Sequence, residues 1–216
     1  MFTGLVREVG RVSRLQREAG VTRIEVEAPL TARPPDGPPP RVGDSVAVNG
    51  ICLTVVRIAG TRVHVEATAE TRRVTTLADW RVGTGVHLEP SLRAGDPIGG
   101  HFVLGHVDGT GRLERLRRLG GAGAMTVALR PDLAARLLPK GSIAVDGVSL
   151  TLDEGPFDGR FTVTLIPHTL SATRFARLAP GTRLNLELDV LSKAARAQEG
   201  RRNLTMDALV ARGWTR

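Results

Sequence analysis

Two short stretches of this chain put reactive side chains on the same kind of extended segment. The first is Asn49-Gly50-Ile51-Cys52-Leu53-Thr54; the second, 97 positions on, is Asp146-Gly147-Val148-Ser149-Leu150-Thr151. Alternate residues of a strand share a face, so Cys52 lies beside Thr54 and Ser149 beside Thr151. Thiol and hydroxyl groups at that spacing, with nearby backbone N–H and C=O groups, suit a heterocycle bearing several carbonyl oxygens and ring nitrogens. The same side chains can also be satisfied locally in a core, the simpler reading for one copy; recurrence in a second favours a ligand. Cys52 is open to nucleophilic or proton-shuttling chemistry, but Ser149 replaces it in the copy, so packing and hydrogen bonding compete with that role. His106 is either a general acid–base or a structural histidine after a Gly turn. On an extended strand His101 would face the opposite side from His106, which argues against a shared metal. His64 and His87 stand in strand runs without evident partners and read as structural.

Other signatures fail. Gly109-Thr110-Gly111 has Glu114 where a dinucleotide fingerprint needs its third glycine, and neither a Walker loop nor a Gly-x-Ser-x-Gly elbow occurs. The chain is therefore expected to use no cofactor and no metal. Its 30 basic and 22 acidic residues give a net charge of +8. The arginines are spread through both halves, and aromatics make up 3% with no Tyr. Stacking on single-stranded nucleic acid needs clustered aromatics, so the charge reads as solvated surface and no nucleic-acid partner is expected. The lone Cys52 excludes an internal disulfide and a cysteine-built zinc site. The N-terminus lacks the pattern of a signal peptide, and no run approaches the ~18 apolar residues of a membrane span. A soluble, reduced, cytoplasmic protein is expected.

The elements that must position these residues come from a duplication. The segment from Gly43 to Val55 returns from Lys140 to Leu152, with Asn49 meeting Asp146, Cys52 meeting Ser149 and Thr54 meeting Thr151. Gly4-Leu5-Val6 aligns with Gly105-His106-Val107, 101 positions on, and Thr71, Gly83 and Glu89 align with Thr169, Gly181 and Glu187, 98 positions on. Asn49-Gly50 and Asp146-Gly147 are hairpin signals between β-branched runs. Further alternating runs cover 22–28, 62–67, 86–88, 125–129, 161–166 and 184–188. Residues 34–40, five of them Pro, form an exposed loop, with 115–123 expected as its less ordered counterpart. Short strands at this density predict an all-β protein of two small closed antiparallel barrels, which removes edge strands. The expected division is 1–100, 101–197 and a tail, 198–216. A helix is expected over 190–199, capped by Asp189, with a second helical turn over 207–212 ahead of Gly213.

Met1-Phe2-Thr3-Gly4, the two hairpin motifs, Gly99-Gly100-His101-Phe102-Val103-Leu104-Gly105-His106, Ile166-Pro167 and Leu184-Asn185-Leu186-Glu187-Leu188-Asp189 together resemble the riboflavin synthase family, over about residues 1–197. The resemblance implies two tandem six-stranded Greek-key barrels, a C-terminal helix and a homotrimer. It implies a cofactor-free dismutation in which two 6,7-dimethyl-8-ribityllumazine molecules meet at one active site, giving riboflavin and 5-amino-6-(ribitylamino)uracil. One barrel site would use Gly4, Leu5, Val6, Cys52, Leu53, Thr54, Glu66, Ala67, Thr68, Ala69, Glu70, Thr71, Gly105, His106 and Val107. The other would use Lys140, Ser149, Leu150, Thr151, Ile166, Pro167, His168, Thr169, Leu170 and Ser171. His106, Cys52, Ser45 (matched by Ser142) and Asp189 carry over as catalytic contributors. The chain departs from the family at Arg7, usually acidic or amide, and at His168, usually Glu, while Glu70 is kept in the first copy.

Overall fold

The computed structural model describes residues 1–35, 37–153, 155 and 157–195. Six strands make the first barrel: β1 (Glu8–Arg17), β2 (Val21–Glu27), β3 (Ser45–Val48), β4 (Ile51–Ala59), β5 (Arg62–Thr68) and β6 (Gly85–Pro90). They close antiparallel in the order β1-β2-β5-β4-β3-β6, with β6 returning to β1. The second half repeats this with β7 (Gly109–Leu119), β8 (Ala122–Leu129), β9 (Ser142–Val145), β10 (Val148–Thr151), β11 (Arg160–Leu165) and β12 (Arg183–Leu188). Its order is β10-β9-β12-β7-β8-β11, the same circuit, and the β10–β11 seam is bridged at Leu152 and Val163.

Period-two patterning explains which face is inside. Val63, Val65 and Ala67 of β5 are buried, while Arg62, His64 and Glu66 alternate with them on the outer face. Each barrel fills its own core, Val12, Ile24, Val46, Val55 and Leu88 in one, Leu113, Met125, Val127, Phe161 and Leu186 in the other. Matching bulges interrupt the register at Val12/Arg14 in β1 and at Leu113/Arg115 in β7, giving each strand the local bend that barrel closure needs. Asn49 and Gly50 have φ of 47° and 73°, and Asp146 and Gly147 have 44° and 79°. Both central residues of such hairpin turns need positive φ, which is why Asn-Gly and Asp-Gly stand there.

The two barrels meet about a local twofold axis. The segment before each first strand crosses to the other: Phe2 and Val103 bond reciprocally, N to O, at 2.7 and 3.0 Å. Phe2, Val103, Ala47 and Ala144 form a small core between the barrels, with Cys52 packed against it. The two turns lie back to back. A Cβ on Gly50 would come 2.6 Å from the Gly147 nitrogen, and one on Gly147 would come 2.8 Å from the Gly50 nitrogen. Around them the hydrogen bonds are reciprocal. Asn49 Oδ1 accepts from the His87 amide at 2.7 Å, as Asp146 Oδ1 does from the Asn185 amide at 2.8 Å. The His87 ring donates from Nδ1 to the Asp146 carbonyl at 3.0 Å, and Asn185 Nδ2 donates to the Asn49 carbonyl at 2.8 Å. His87 Nε2 accepts from the Arg174 amide at 2.9 Å, the counterpart of Asn185 Oδ1 accepting from the Thr76 amide at 2.8 Å.

Two expectations need correction. Residues 115–123 are not a loop but most of the β7–β8 hairpin, turned at Gly120, with Leu116 packed on the second core and the arginines outside. His87 is not partnerless; it joins the halves. After β12 a helix runs from 190 as far as the described residues reach, at 195. Asp189 caps it through its Oδ1 to the Leu191 amide and its Oδ2 to the Ser192 amide. The expected turn at 207–212 lies outside the described residues.

Candidate active site

On each barrel the expected site residues gather from the same parts into one cluster, its candidate crevice. On the first, Ser45 pairs across β3–β4 with Thr54, which pairs with Glu66 on β5, so these three share the outward face in one row. Below Thr54, Leu53 is buried and Cys52 half-buried. The chain then leaves β5 through Ala67 and Thr68 into α2 (Ala69–Val74), which follows the short α1 (Pro29–Ala32) in the chain. Thr68 caps that helix by accepting from the Thr71 amide at 3.1 Å, and its hydroxyl lies 3.0 Å from that of Thr71. Glu70 is exposed and holds Arg73 by two bonds of 2.6 and 2.8 Å, which keeps its carboxyl below the usual range. The crevice is completed from the other half: the Gly105 carbonyl accepts from the Cys52 amide at 2.9 Å, and Val107 packs on the first core. His106, between them, is exposed.

The second crevice is built likewise. Ser142 pairs with Thr151 across β9–β10; Leu150 is buried and Ser149 half-buried. Ile166 and Pro167 lead into α4 (Pro167–Ala172), with His168 and Ser171 exposed, Thr169 half-buried and Leu170 buried. Ser171 turns its hydroxyl to the His168 carbonyl at 2.8 Å. Lys140, at φ 59°, precedes β9. Here the Gly4 carbonyl accepts from the Ser149 amide at 2.8 Å, and Val6 packs on the second core. Gly4-Leu5-Val6 was expected beside Cys52. The structure instead places it against Ser149, because the opening segment of each copy crosses to the other copy's barrel.

A carboxylate holds each crossing loop. Glu89 accepts from the Thr3 amide at 2.7 Å, the Thr3 hydroxyl at 2.9 Å and the Gly4 amide at 3.0 Å. Glu187 accepts from the Leu104 amide at 2.7 Å and the Gly105 amide at 2.9 Å. Burial pushes both carboxyls up, Glu187 to about 7, against the pull of those amides. Gly4 and Gly105 have φ of 78° and 77°, and a Cβ on either would stand 2.6 Å from the Ser149 Cβ or 2.5 Å from the Cys52 Cβ. Only glycine brings the loop backbone that close to the strand.

His101 is the side chain that sequence reasoning undervalued. Residues 101–107 are not a continuous strand, so alternation does not govern them; the His101 Nδ1 lies 2.7 Å from the Ser149 hydroxyl. Burial lowers its proton affinity, opposed by the Asp189 charge. Asp189 thus lies near enough to His101 for its charge to reach that ring, besides capping its helix. Cys52, His106 and Ser45 belong to the first crevice.

A cleft of about 800 Å³ lies elsewhere between the barrels, lined by Arg17, Arg81, Arg112, Arg174 and Arg183 among others. Arg17 donates to the Ala78 and Trp80 carbonyls, Arg112 to that of Gly181, Arg174 to Asp146 and Arg183 to Asp79. Those four cations brace the protein itself.

The lumazine binding domain family matches this chain twice, over residues 3–91 and 104–189, the two halves that carry the crevices. The riboflavin synthase of Bacillus subtilis is 37% identical over 193 residues, 89% of this chain and 87% of that one. That of Brucella abortus is 38% identical over 202 residues, covering 90% and 96%. The chain belongs to the riboflavin synthase family. Its riboflavin synthase fold also matches solved structures of LumP. The complex with riboflavin superposes with a TM-score of 0.77 at 25% identity, over 87% of this chain and 99% of that one. The complex with 6,7-dimethyl-8-(1'-D-ribityl) lumazine gives a TM-score of 0.76 at 23% identity, over 87% and 99%. Within this riboflavin synthase framework the two lumazine-binding repeats share their parts, each crevice taking its strand from one repeat and its covering loop from the other. Among the described residues no helix is long and apolar enough to cross a membrane, and no cluster of His, Cys, Asp and Glu is arranged to hold a metal ion.

Proposed function

We propose that this chain is a riboflavin synthase, a transferase that dismutates two molecules of 6,7-dimethyl-8-ribityllumazine into riboflavin and 5-amino-6-(ribitylamino)uracil. The observation that carries this reading is the pair of like crevices in one chain, each completed by the other half, which suits a reaction consuming one substrate twice. A four-carbon unit passes from donor to acceptor. The products together contain the atoms of two substrates, so the balance calls for no oxidant or reductant. The donor's C7 methyl is acidic because its carbanion delocalises into the ring. A base or a charge-stabilising contact draws off the proton, and a nucleophile adds at C7 of the acceptor. Bringing the two rings face to face supplies much of the acceleration as effective molarity.

In this reading His106, Cys52 and Ser45 serve the first crevice and Asp189 the second. Thr54, the stretch from Glu66 to Thr71, Ser149, Thr151, Lys140 and the stretch from Ile166 to Ser171 hold the rings and ribityl chains. The barrels are the units 1–100 and 101–197. The enzyme works in the cytoplasm as a homotrimer, which sets a first crevice of one subunit opposite a second crevice of its neighbour.

The test is to incubate the protein with 6,7-dimethyl-8-ribityllumazine alone, without oxygen or added cofactor. One riboflavin and one uracil diamine should form for every two lumazines consumed. His106→Ala should lower turnover far more than ligand affinity; equal losses would reduce His106 to a binding role. A second reading, a lumazine or flavin carrier, is favoured by the likeness to ligand-bound LumP structures, since fold does not fix chemistry. Tight fluorescent binding without product would establish it.

A further inference from the structure

We propose that Glu187 is the positioning residue of the first crevice, its ionised carboxylate latching the loop that carries His106 against Cys52. This rests on reading that crevice as a substrate site. The latch is a continuous path: Glu187 on β12 accepts from the Leu104 and Gly105 amides, and the Gly105 carbonyl in turn accepts from the Cys52 amide on β4. His106 is the next residue. Two amide hydrogens converge on one carboxyl, and the anion offers each of them a charged acceptor. The protonated acid keeps a neutral carbonyl oxygen and a poorer hydroxyl acceptor, so both amide bonds weaken and a buried O–H is added that needs a partner of its own.

The surroundings put this change within reach of ordinary pH. Glu187 is 3% exposed, and burial raises its carboxyl to about 7. Facing it are Lys193, from the helix after Asp189, and Asp108, from the segment before β7. Lys193 favours the anion and Asp108 opposes it. Asp108 is itself paired with Lys193 at 2.8 Å and with Arg136, from the chain after α3 (Pro131–Ala134), at 3.8 Å. Glu89, the counterpart, receives a third bond from the Thr3 hydroxyl that Glu187 lacks. The latch over the first crevice is therefore the weaker of the two, and the crevices respond differently to acid.

The experiment follows backbone amides by NMR in the protein without ligand, between pH 5.5 and 8.5, and steady-state turnover of 6,7-dimethyl-8-ribityllumazine over the same range. In the unaltered protein the Leu104 and Gly105 amides should titrate together with a midpoint near 7. In Glu187→Gln that titration disappears. Turnover by the unaltered protein should rise with pH through this midpoint. Glu187→Gln should lower kcat about tenfold at pH 8, with a smaller effect on KM, and flatten the profile. The proposal is overturned if the Gly105 amide does not titrate in the unaltered protein, or if Glu187→Gln keeps the original pH profile. The NMR measurement needs no substrate, so it decides the latch even if the chain proves to be a carrier, and it needs no variant should Glu187→Gln fail to fold.

Discussion

Acid should loosen the joint between the barrels through one imidazole. His87 is fully enclosed, donates from Nδ1 to the Asp146 carbonyl and accepts at Nε2 from the Arg174 amide, with the Phe175 ring edge-on at 5.2 Å. That pattern needs the neutral ring, and desolvation lowers its pKa from 6.5 to about 4. A histidine depressed on folding contributes stability above its unfolded pKa and loses it as pH falls from there toward the folded value. Evaluating that linkage between pH 8 and pH 5 removes about 2 kcal/mol. Glu89 and Glu187 are raised on folding and work in the opposite sense, so the slope must be taken as a difference between proteins. The right comparison is His87→Asn, because Asn185 already makes the reciprocal pair of bonds with a side chain that does not titrate. At pH 8 the variant should be less stable by about 1–2 kcal/mol for the lost ring packing. By pH 5 the gap should close or reverse. Urea unfolding at both pH values and one protein concentration reads this directly. Parallel pH slopes for the two proteins would refute the assignment of a neutral, doubly bonded His87.

Gly105→Ala should push the loop off Cys52 and Gly4→Ala should push its counterpart off Ser149, each weakening one crevice about tenfold or more. Titration with 6,7-dimethyl-8-ribityllumazine should then show one class of site weakened and the other kept in each variant. Arg174→Thr leaves the Asp146 carboxylate, 0% exposed, without its 2.6 Å partner and should cost about 3–5 kcal/mol in denaturant unfolding. Adding Asp146→Asn recreates the Asn49 and Thr76 pair of the other half, and the double variant should recover at least half of that loss. Removing the charge of Glu70 with Glu70→Gln breaks only an exposed pair with Arg73, so stability should change by no more than about 0.5 kcal/mol.

Much of this architecture was legible in the sequence because duplication prints the same constraints twice. Asn49-Gly50 and Asp146-Gly147 marked the hairpins, and the alternation in β5 and β11 marked inner and outer faces. The division of labour between the copies was not legible. Repeat matching shows that Gly4-Leu5-Val6 resembles Gly105-His106-Val107, but not that each segment covers the barrel of the other copy. That depends on the Phe2–Val103 pairing, a contact between residues about a hundred positions apart, with no local pattern to betray it. The β7–β8 hairpin was missed because four arginines stand between 112 and 118, and on a two-sided segment such an outer face hides the few apolar residues that point inward. His101 was weighed only against His106, and His87 looked unpartnered. Their partners, Ser149 and the Asp146 carbonyl, come from the other side of a fold that local spacing cannot see.

The two turn glycines also bear on ancestry. Gly50 and Gly147 occupy equivalent places and touch each other, so the axis between the halves passes between a residue and its own counterpart. Contacts of that kind, where i meets j and j meets i, are what a twofold homodimer makes. A single barrel carrying its opening segment could pair with a second copy of itself through this same surface, each exchanging its first residues with the other. Joining two such genes end to end would have preserved the interface and freed the halves to diverge. They have done so at the centre of the joint, where His87 stands opposite Asn185 and Asp146 opposite Asn49. In the proposed reading, one gene product thereby holds two unlike crevices of one design, one for a donor and one for an acceptor of the same molecule.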